Sequence, residues 1–108
     1  MDVLPLVPGQ LLRLRGRLSL RAVASAREAV HEAIGAGTGV LVLDLSCVPA
    51  CDTAGLAMLL TAHRIAERRG RRLELAGVGS AVARALLRSR LHRVLHLQSV
   101  PRGAPLPR

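Results

Sequence analysis

The stretch Cys51-Asp52-Thr53-Ala54-Gly55-Leu56-Ala57-Met58-Leu59-Leu60 follows closely on the apolar run Val40-Leu41-Val42-Leu43-Asp44-Leu45. The apolar run predicts a buried strand, and Pro49 prevents it from continuing directly into a helix. Asp52 is a good N-cap, because its carboxylate can accept hydrogen bonds from the free N–H groups of a first helical turn. Apolar residues then recur at helical spacing, at Leu56, Leu59, Leu60 and Ala66. The two segments together predict a strand, a short loop and a helix capped by Asp52.

Thr53 falls on the first turn of this predicted helix. Its hydroxyl would lie near unpaired backbone N–H groups and the positive end of the helix dipole, where an added phosphate is tolerated, although Asp52 would repel it. A phosphate would add about −1.5 to −2 charges at neutral pH. The residue can therefore be a modification site, or it can be a helix-start residue with no further role.

The segments before this stretch predict two strands and a helix. Residues 1–8 can form an edge strand, where Pro5 and Pro8 are less damaging than in a central one. The run from Gln10 to Arg15 predicts a half-buried strand that directs Leu12 and Leu14 to the core. Residues 21–34 have helical periodicity, with Ser19 as a candidate cap and Gly35 as a stop.

The segments after it continue the alternation of helix and strand. The central helix is expected to run from Thr53 to Arg69, and residues 71–76 alternate as a strand. Ser80 can cap a short helix that ends at Ser89, and residues 94–97 predict a last strand. Three residues of that short helix are expected to face inward: Val82, Leu86 and Leu87.

Strands separated by helices favour a sheet with right-handed crossover connections. We therefore expect one α/β domain over residues 1–99, a small mixed β-sheet of four to five strands with helices packed on it. The Pro-rich residues 100–108 have little to bury and are expected to be a disordered tail.

The Asp52-Thr53-Ala54-Gly55-Leu56 motif, in its strand-to-helix context, resembles the STAS domain of bacterial anti-sigma factor antagonists. The segments 41–46, 68–77 and 81–94 share the resemblance, which covers roughly residues 10–98. It implies the same small mixed sheet. In that family the hydroxyl residue directly after the Asp is the phosphorylation site, and this position is Thr53 here.

The resemblance also implies a function. The unphosphorylated form would bind an anti-sigma factor of the ATP-binding serine/threonine kinase type and free a sigma factor, and the kinase would phosphorylate Thr53 to end the contact. The implied partner-binding residues are those of the motif: Asp52, Thr53, Ala54, Gly55 and Leu56. Gly55 would let the partner backbone approach closely, or it would let the helix pack on the sheet.

The chain departs from the family pattern at three places. The family usually has Ser at the position of Thr53, many members have Asp at the position of Ser19, and a large apolar residue commonly precedes the motif where this chain has Ala50-Cys51. The motif is also similar to the STAS subunit of bacterial phospholipid-trafficking ABC transporters, which need not be phosphorylated, and another unphosphorylated STAS interaction module is a further alternative. Genomic neighbours would discriminate between the two: a kinase and a sigma factor, or a transporter ATPase and permease.

Composition limits the other classes of function. The chain has 16 basic residues, all Arg, against 7 acidic ones, a formal net charge of +9, and no aromatic residue. An Arg-rich, Lys-free composition is typical of a GC-rich coding sequence, and a single-strand nucleic-acid site would lack aromatic stacking platforms, so specific nucleic-acid binding is not expected. Half of the residues are hydrophobic, so an aliphatic core is expected.

Candidate catalytic and metal-binding groups are few. Cys47 and Cys51 are a poor zinc signature and are expected to be reduced, semi-buried thiols. His92 and His96 are four apart, but the segment changes from helix to strand between them. We expect no enzyme activity, no metal and no cofactor. No apolar run approaches the roughly 20 residues that span a bilayer, and Pro5 and Pro8 interrupt the N-terminal apolar stretch, so a cytoplasmic protein is expected.

Overall fold

The computed structural model describes residues 1–98 and contains one five-stranded sheet with the order β1-β2-β3-β4-β5. The elements in chain order are β1 (Asp2–Val7), β2 (Leu11–Arg15), α1 (Leu20–Gly35), β3 (Val40–Cys47), α2 (Thr53–Arg68), β4 (Arg72–Ala76), α3 (Ser80–Ser89), a 3₁₀ turn (Leu91–Arg93) and β5 (His96–Leu97). The predicted α/β fold with a small mixed sheet is confirmed. The tail predicted over residues 100–108, like residue 99, lies outside the described residues.

Strand direction divides the sheet into an edge hairpin and a parallel part. β1 pairs antiparallel with β2, whereas β2, β3, β4 and β5 pair in parallel with their neighbours. Because the parallel strands follow one another in space as in sequence, right-handed crossovers put the connecting helices on one face of the sheet. The carboxyl ends of the parallel strands therefore lie at one end of the sheet, together with the N-termini of α2 and α3.

The core lies between this face and the helices and is aliphatic throughout. Alternate strand residues enter it, as expected for Leu12 and Leu14, and the fully buried ones on the central strands are Leu41, Leu43, Leu45, Leu73 and Leu75. α1 and α2 pack against each other and add Ala26, Val30, Ile34, Leu59, Ala62 and Ala66. Between the core positions, Arg13 on β2 and Asp44 on β3 form an ion pair, with Nε 2.9 Å from Oδ2.

The short helix α3 differs from its prediction in two respects. Its N-cap is Gly79, and Ser80 is already helical and gives no side-chain cap. Leu87, expected to face inward, is 56% exposed. Val82 and Leu86, four residues apart, form the buried line, and Leu87 is rotated by about 100° from Leu86 toward solvent. The last strand is also shorter than predicted and begins at His96.

Arg71 is the least expected core residue, with only 5% of its surface exposed. Its guanidinium donates to the Ala33 and Ile34 carbonyls in the last turn of α1, at 2.9 and 3.0 Å, and to the Gly9 carbonyl at 2.6 Å. Weaker bonds run to the carbonyls of Thr38, Gly39 and Val40. One cation therefore ties the C-terminus of α1 to the β1–β2 turn and to the entry of β3.

No helix within residues 1–98 is long and apolar enough to cross a membrane.

Candidate interaction and phosphorylation site

Asp52 is the N-cap of α2, as the sequence predicts, and it also caps a second helix. Its Oδ1 accepts from the Gly55 N–H at 2.9 Å, and its Oδ2 accepts from the Leu20 N–H, at the start of α1, at 3.0 Å. The backbone hydrogen bonds from Gly55 and Leu20 lower the pKa of the Asp52 carboxyl below its usual value. Ser19, the predicted cap of α1, occupies the N-cap position but makes no side-chain cap hydrogen bond.

Backbone pairing holds the two segments that carry this carboxylate. Leu18 and Cys51 form a parallel bridge, in which the Leu18 N–H donates to the Ala50 carbonyl at 3.0 Å and the Asp52 N–H donates to the Leu18 carbonyl at 3.1 Å. The N-termini of α1 and α2 are thereby placed side by side. Asp52 can serve both because each of its oxygens faces a different helix.

Gly55 is buried against this bridge. A Cβ at its position would overlap the Leu18 carbonyl oxygen and would lie 2.7 Å from Cys51 Sγ. Of the two roles considered for Gly55, close packing inside the domain explains the glycine directly. Its membership of the partner-binding set remains a prediction.

Thr53 is the first residue of α2, and its side chain is exposed. Ala54 and Leu56 beside it are half-buried, so the surface of the motif consists mainly of Asp52 and Thr53. The free N–H groups of a first helical turn create a positive potential there, which favours an anionic group on Thr53. The Asp52 carboxylate opposes it, but two backbone donors already neutralise part of that charge.

Leu20 is part of this surface, and the sequence reasoning missed it. At 74% exposure it is the most exposed large apolar residue in the part of the chain that the structure describes. Next to it, a depression of about 320 Å³ is lined by Arg17, Leu18, Ser19, Ala50, Cys51 and Asp52. The sequence did contain a signal for its exposure: Leu20 directly follows the cap position Ser19, and the buried residues of α1 begin only at Ala22.

The remaining candidate groups, Asp44 and the two cysteines, lie in surroundings that explain them without a catalytic role. Burial acts to raise the pKa of Asp44, but hydrogen bonds from Ser46 and Arg13 outweigh it and lower that pKa. Cys47 is exposed, contrary to expectation, and Cys51 is half-buried; neither forms a disulfide. Burial raises the pKa of the Cys51 thiol to about 11, so this thiol is a poor nucleophile at neutral pH.

The histidines do not form a metal site within residues 1–98, where no group of three or more potential ligands occurs. His92 lies on the 3₁₀ turn and His96 on β5. The ring of His96 instead lies beside that of His63 on α2, with the centroids 5.2 Å apart. His63 Nε2 contacts Glu67 Oε1 at 2.7 Å, within the same helix.

Solved structures with the same fold include SpoIIAA, in two states, and a second protein described as an anti-sigma factor antagonist. A protein of Thermotoga maritima described as an anti-sigma factor antagonist has a TM-score of 0.75 at 18% identity, covering 92% of this chain and 86% of that one. SpoIIAA in its unphosphorylated form has a TM-score of 0.68 at 18% identity, covering 93% and 88%. SpoIIAA of Bacillus is also known in a phosphorylated form, with a TM-score of 0.66 at 21% identity and coverage of 91% and 90%.

A sulfate transporter family protein from Wolinella succinogenes shares the fold as well, with a TM-score of 0.70 at 24% identity, covering 87% of this chain and 75% of that one. At these identities the likeness shows the fold alone. No curated protein matches the sequence. The family model described as "Mlab, STAS domain" matches residues 8–98, which is most of the chain and includes both helix N-termini of the site. The chain therefore belongs to the STAS domain family.

Proposed function

We propose that this chain is an anti-sigma factor antagonist that binds its partner through the N-terminal end of α2 and is switched off by phosphorylation of Thr53. The observation that carries the proposal is the pairing of an exposed hydroxyl at the first position of α2 with a fixed neighbouring carboxylate. The hydroxyl is open to a kinase. The carboxylate cannot move to occupy the same space, because it holds two helices.

A phosphate on Thr53 would change the surface without a change of fold. The unmodified surface combines the apolar Leu20 with the small side chains at the start of α2. A phosphate would place about −1.5 to −2 charges there, beside the existing negative charge of Asp52. In a complementary interface this brings repulsion and desolvation, and each 1.4 kcal/mol lost lowers affinity about tenfold.

The proposed partner is an anti-sigma factor of the ATP-binding serine/threonine kinase type. Two observations support it: the fold shared with two proteins described as anti-sigma factor antagonists, and the existence of SpoIIAA in both an unphosphorylated and a phosphorylated form. In this proposal the chain is a cytoplasmic interaction module that regulates transcription, has no catalytic residues of its own and takes no cofactor.

A second candidate is an accessory subunit of a phospholipid-trafficking ABC transporter, which would use the same surface without phosphorylation. The description of the matching family model, "Mlab, STAS domain", favours it over a general STAS module, and a transporter family protein shares the fold. Here Thr53 would contact the transporter ATPase directly.

Peptide mass analysis of the protein from its native cells tests the switch. Trypsin releases residues 28–64 as one peptide, which contains four hydroxyl residues: Thr38, Ser46, Thr53 and Thr61. The proposal expects phosphate on Thr53 and its loss in Thr53→Ala. Thr61→Ala, at an exposed position two turns further along α2, is the matched control and should leave the phosphate in place.

Binding to a purified anti-sigma factor of the ATP-binding kinase type from the same organism then separates the two candidates. Thr53→Glu should weaken that binding at least tenfold, whereas Thr61→Glu should not. Binding of Thr53→Glu as tight as that of the natural protein would contradict the switch. A peptide that is well covered and unphosphorylated in all growth conditions would favour the transporter subunit.

A further inference from the structure

The C-terminal third of the chain has an unusual charge distribution. Residues 75–108 contain six of the 16 Arg residues and none of the seven acidic ones. In α1 and α2, by contrast, Arg residues alternate with Glu28, Glu32 and Glu67. A high overall Arg content therefore does not account for the separation of the charges, which is typical of a surface that binds an acidic partner.

The structure places four of these Arg residues on two consecutive elements, α3 and the 3₁₀ turn that follows it. Arg84 and Arg88 lie on α3, and Arg90 and Arg93 lie in the 3₁₀ turn segment that packs against it. All four side chains are exposed. Within residues 1–98 none of them forms an ion pair or a side-chain hydrogen bond, which is also true of the exposed Arg residues of α1 and α2, so what distinguishes this region is that no acidic residue lies among its cations.

Two apolar side chains are exposed among these cations. Leu87 is 56% exposed and Val94 is 45% exposed. Arg84, Leu87 and Arg88 have the i, i+3, i+4 spacing that puts side chains on one face of a helix. The opposite line of α3, Val82 and Leu86, is buried in the core, so the exposed line is fixed in its outward orientation. We name this surface the basic patch: Arg84, Leu87, Arg88, Arg90, Arg93 and Val94.

We propose that the basic patch binds an anionic lipid surface. Arg side chains can neutralise lipid phosphates while Leu87 and Val94 enter the headgroup region, which is how basic amphipathic helices bind membranes. Duplex nucleic acid would use the cations but would leave the two aliphatic side chains in water, and no aromatic residue is present to stack on single strands. The combination of charges and aliphatic side chains therefore favours lipid.

The patch lies on different elements of the fold from Thr53. Thr53 follows the carboxyl end of β3. The helix α3 starts at the same end of the sheet and runs back toward the end where the parallel strands begin, because β5 is parallel to β4. The C-terminal end of α3 and the 3₁₀ turn therefore lie toward the amino ends of the parallel strands. A membrane bound there would leave Thr53 free for a partner protein, so the inference does not depend on the proposed function.

Vesicle sedimentation of the full chain tests the proposal. The protein should bind vesicles of phosphatidylcholine with about 30% phosphatidylglycerol, should not bind pure phosphatidylcholine, and should lose affinity as salt rises from about 0.1 to about 0.5 M. One Arg near an anionic surface contributes about fivefold in partitioning, so Arg84→Gln with Arg88→Gln should lower it about 25-fold. Leu87→Ser should lower it about tenfold.

The matched control is Arg27→Gln with Arg64→Gln, two exposed positions on α1 and α2 that remove the same charge from another part of the surface. It should change partitioning less than threefold. Equal losses in the two double variants would overturn the proposal, because net charge alone would then explain binding. Absence of vesicle binding would also overturn it, and binding of a short DNA or RNA duplex instead would assign the patch to nucleic acid.

Discussion

Arg71 carries the clearest prediction about stability. Its guanidinium is buried and has no acidic partner among the described residues; six backbone carbonyls surround it, three of them within 3.0 Å. Burial lowers the pKa of this guanidinium, but Arg remains charged at all ordinary pH values. The side chain donates to the Ile34 carbonyl in the last turn of α1 and gives the Ala33 carbonyl, which also accepts the Ala36 N–H, a second donor.

Replacing Arg71 by Met would keep much of the buried volume and remove all the donors. Each hydrogen bond to a charged group contributes about 1.5–3 kcal/mol. The variant loses three such bonds, but it no longer has the desolvation penalty of a buried charge, which offsets part of that loss. The carbonyls of Ala33 and Gly9 would remain buried with fewer donors. We expect a loss of about 3–5 kcal/mol, a large fraction of the 5–15 kcal/mol typical of a domain.

The neighbouring residue provides a matched control. Arg72 is exposed and pairs only with Glu74, at 2.8 Å, so Arg72→Met should cost less than about 1 kcal/mol. The loss of stability in Arg71→Lys should lie between those of Arg71→Met and Arg72→Met, because one ammonium group cannot reach all the carbonyls on different segments that the guanidinium reaches.

The assay is urea unfolding followed by circular dichroism at about 222 nm, because the chain has no aromatic residue for fluorescence. The slopes of the transitions must agree between variants for the free energies to be compared. A loss below about 1 kcal/mol for Arg71→Met, or equal losses for Arg71→Met and Arg72→Met, would refute the argument that this cation holds the loops together.

Three other changes test the fold around the site. Leu43→Ala, at a fully buried position on β3, should lower the free energy of unfolding by about 2–5 kcal/mol, and a loss near zero would contradict its place in the core. Gly55→Val should lower the thermal midpoint by more than Ala57→Val on the exposed face of α2, because only at Gly55 does a side chain meet the Leu18 carbonyl; equal shifts would argue against that contact. The pKa of Asp52 is lowered in the folded state, so its stabilisation is present above the unfolded value of about 3.9 and is lost as pH falls through the folded value. Stability of Asp52→Asn should therefore decline less between about pH 5 and pH 2 than that of the natural protein, and parallel acid unfolding curves would contradict this.

Most elements could be predicted because their signals are local. The alternation in β2, the N-cap of α2 and the helical periodicity of α1 depend on residues within a few positions of each other, and the bounds agree with the structure to within one or two residues. The second hydrogen bond of Asp52 joins it to Leu20, 32 positions away, and the bonds of Arg71 reach as far as 62 positions. Such contacts exist only once the sheet has formed, so no local sequence pattern predicts them.

The structure also separates the residues of the Asp-Thr-Ala-Gly-Leu motif that contribute to the fold from the one that does not. Asp52 caps two helices, Gly55 packs under the Leu18 carbonyl, and Ala54 and Leu56 are half-buried, so each of these four residues contributes to the fold. Thr53 is exposed, and its hydroxyl makes no hydrogen bond within residues 1–98. A change at any of the other four positions would alter the fold and the surface together. Substitutions at Thr53 are therefore the ones whose effect on partner binding can be assigned to the surface itself.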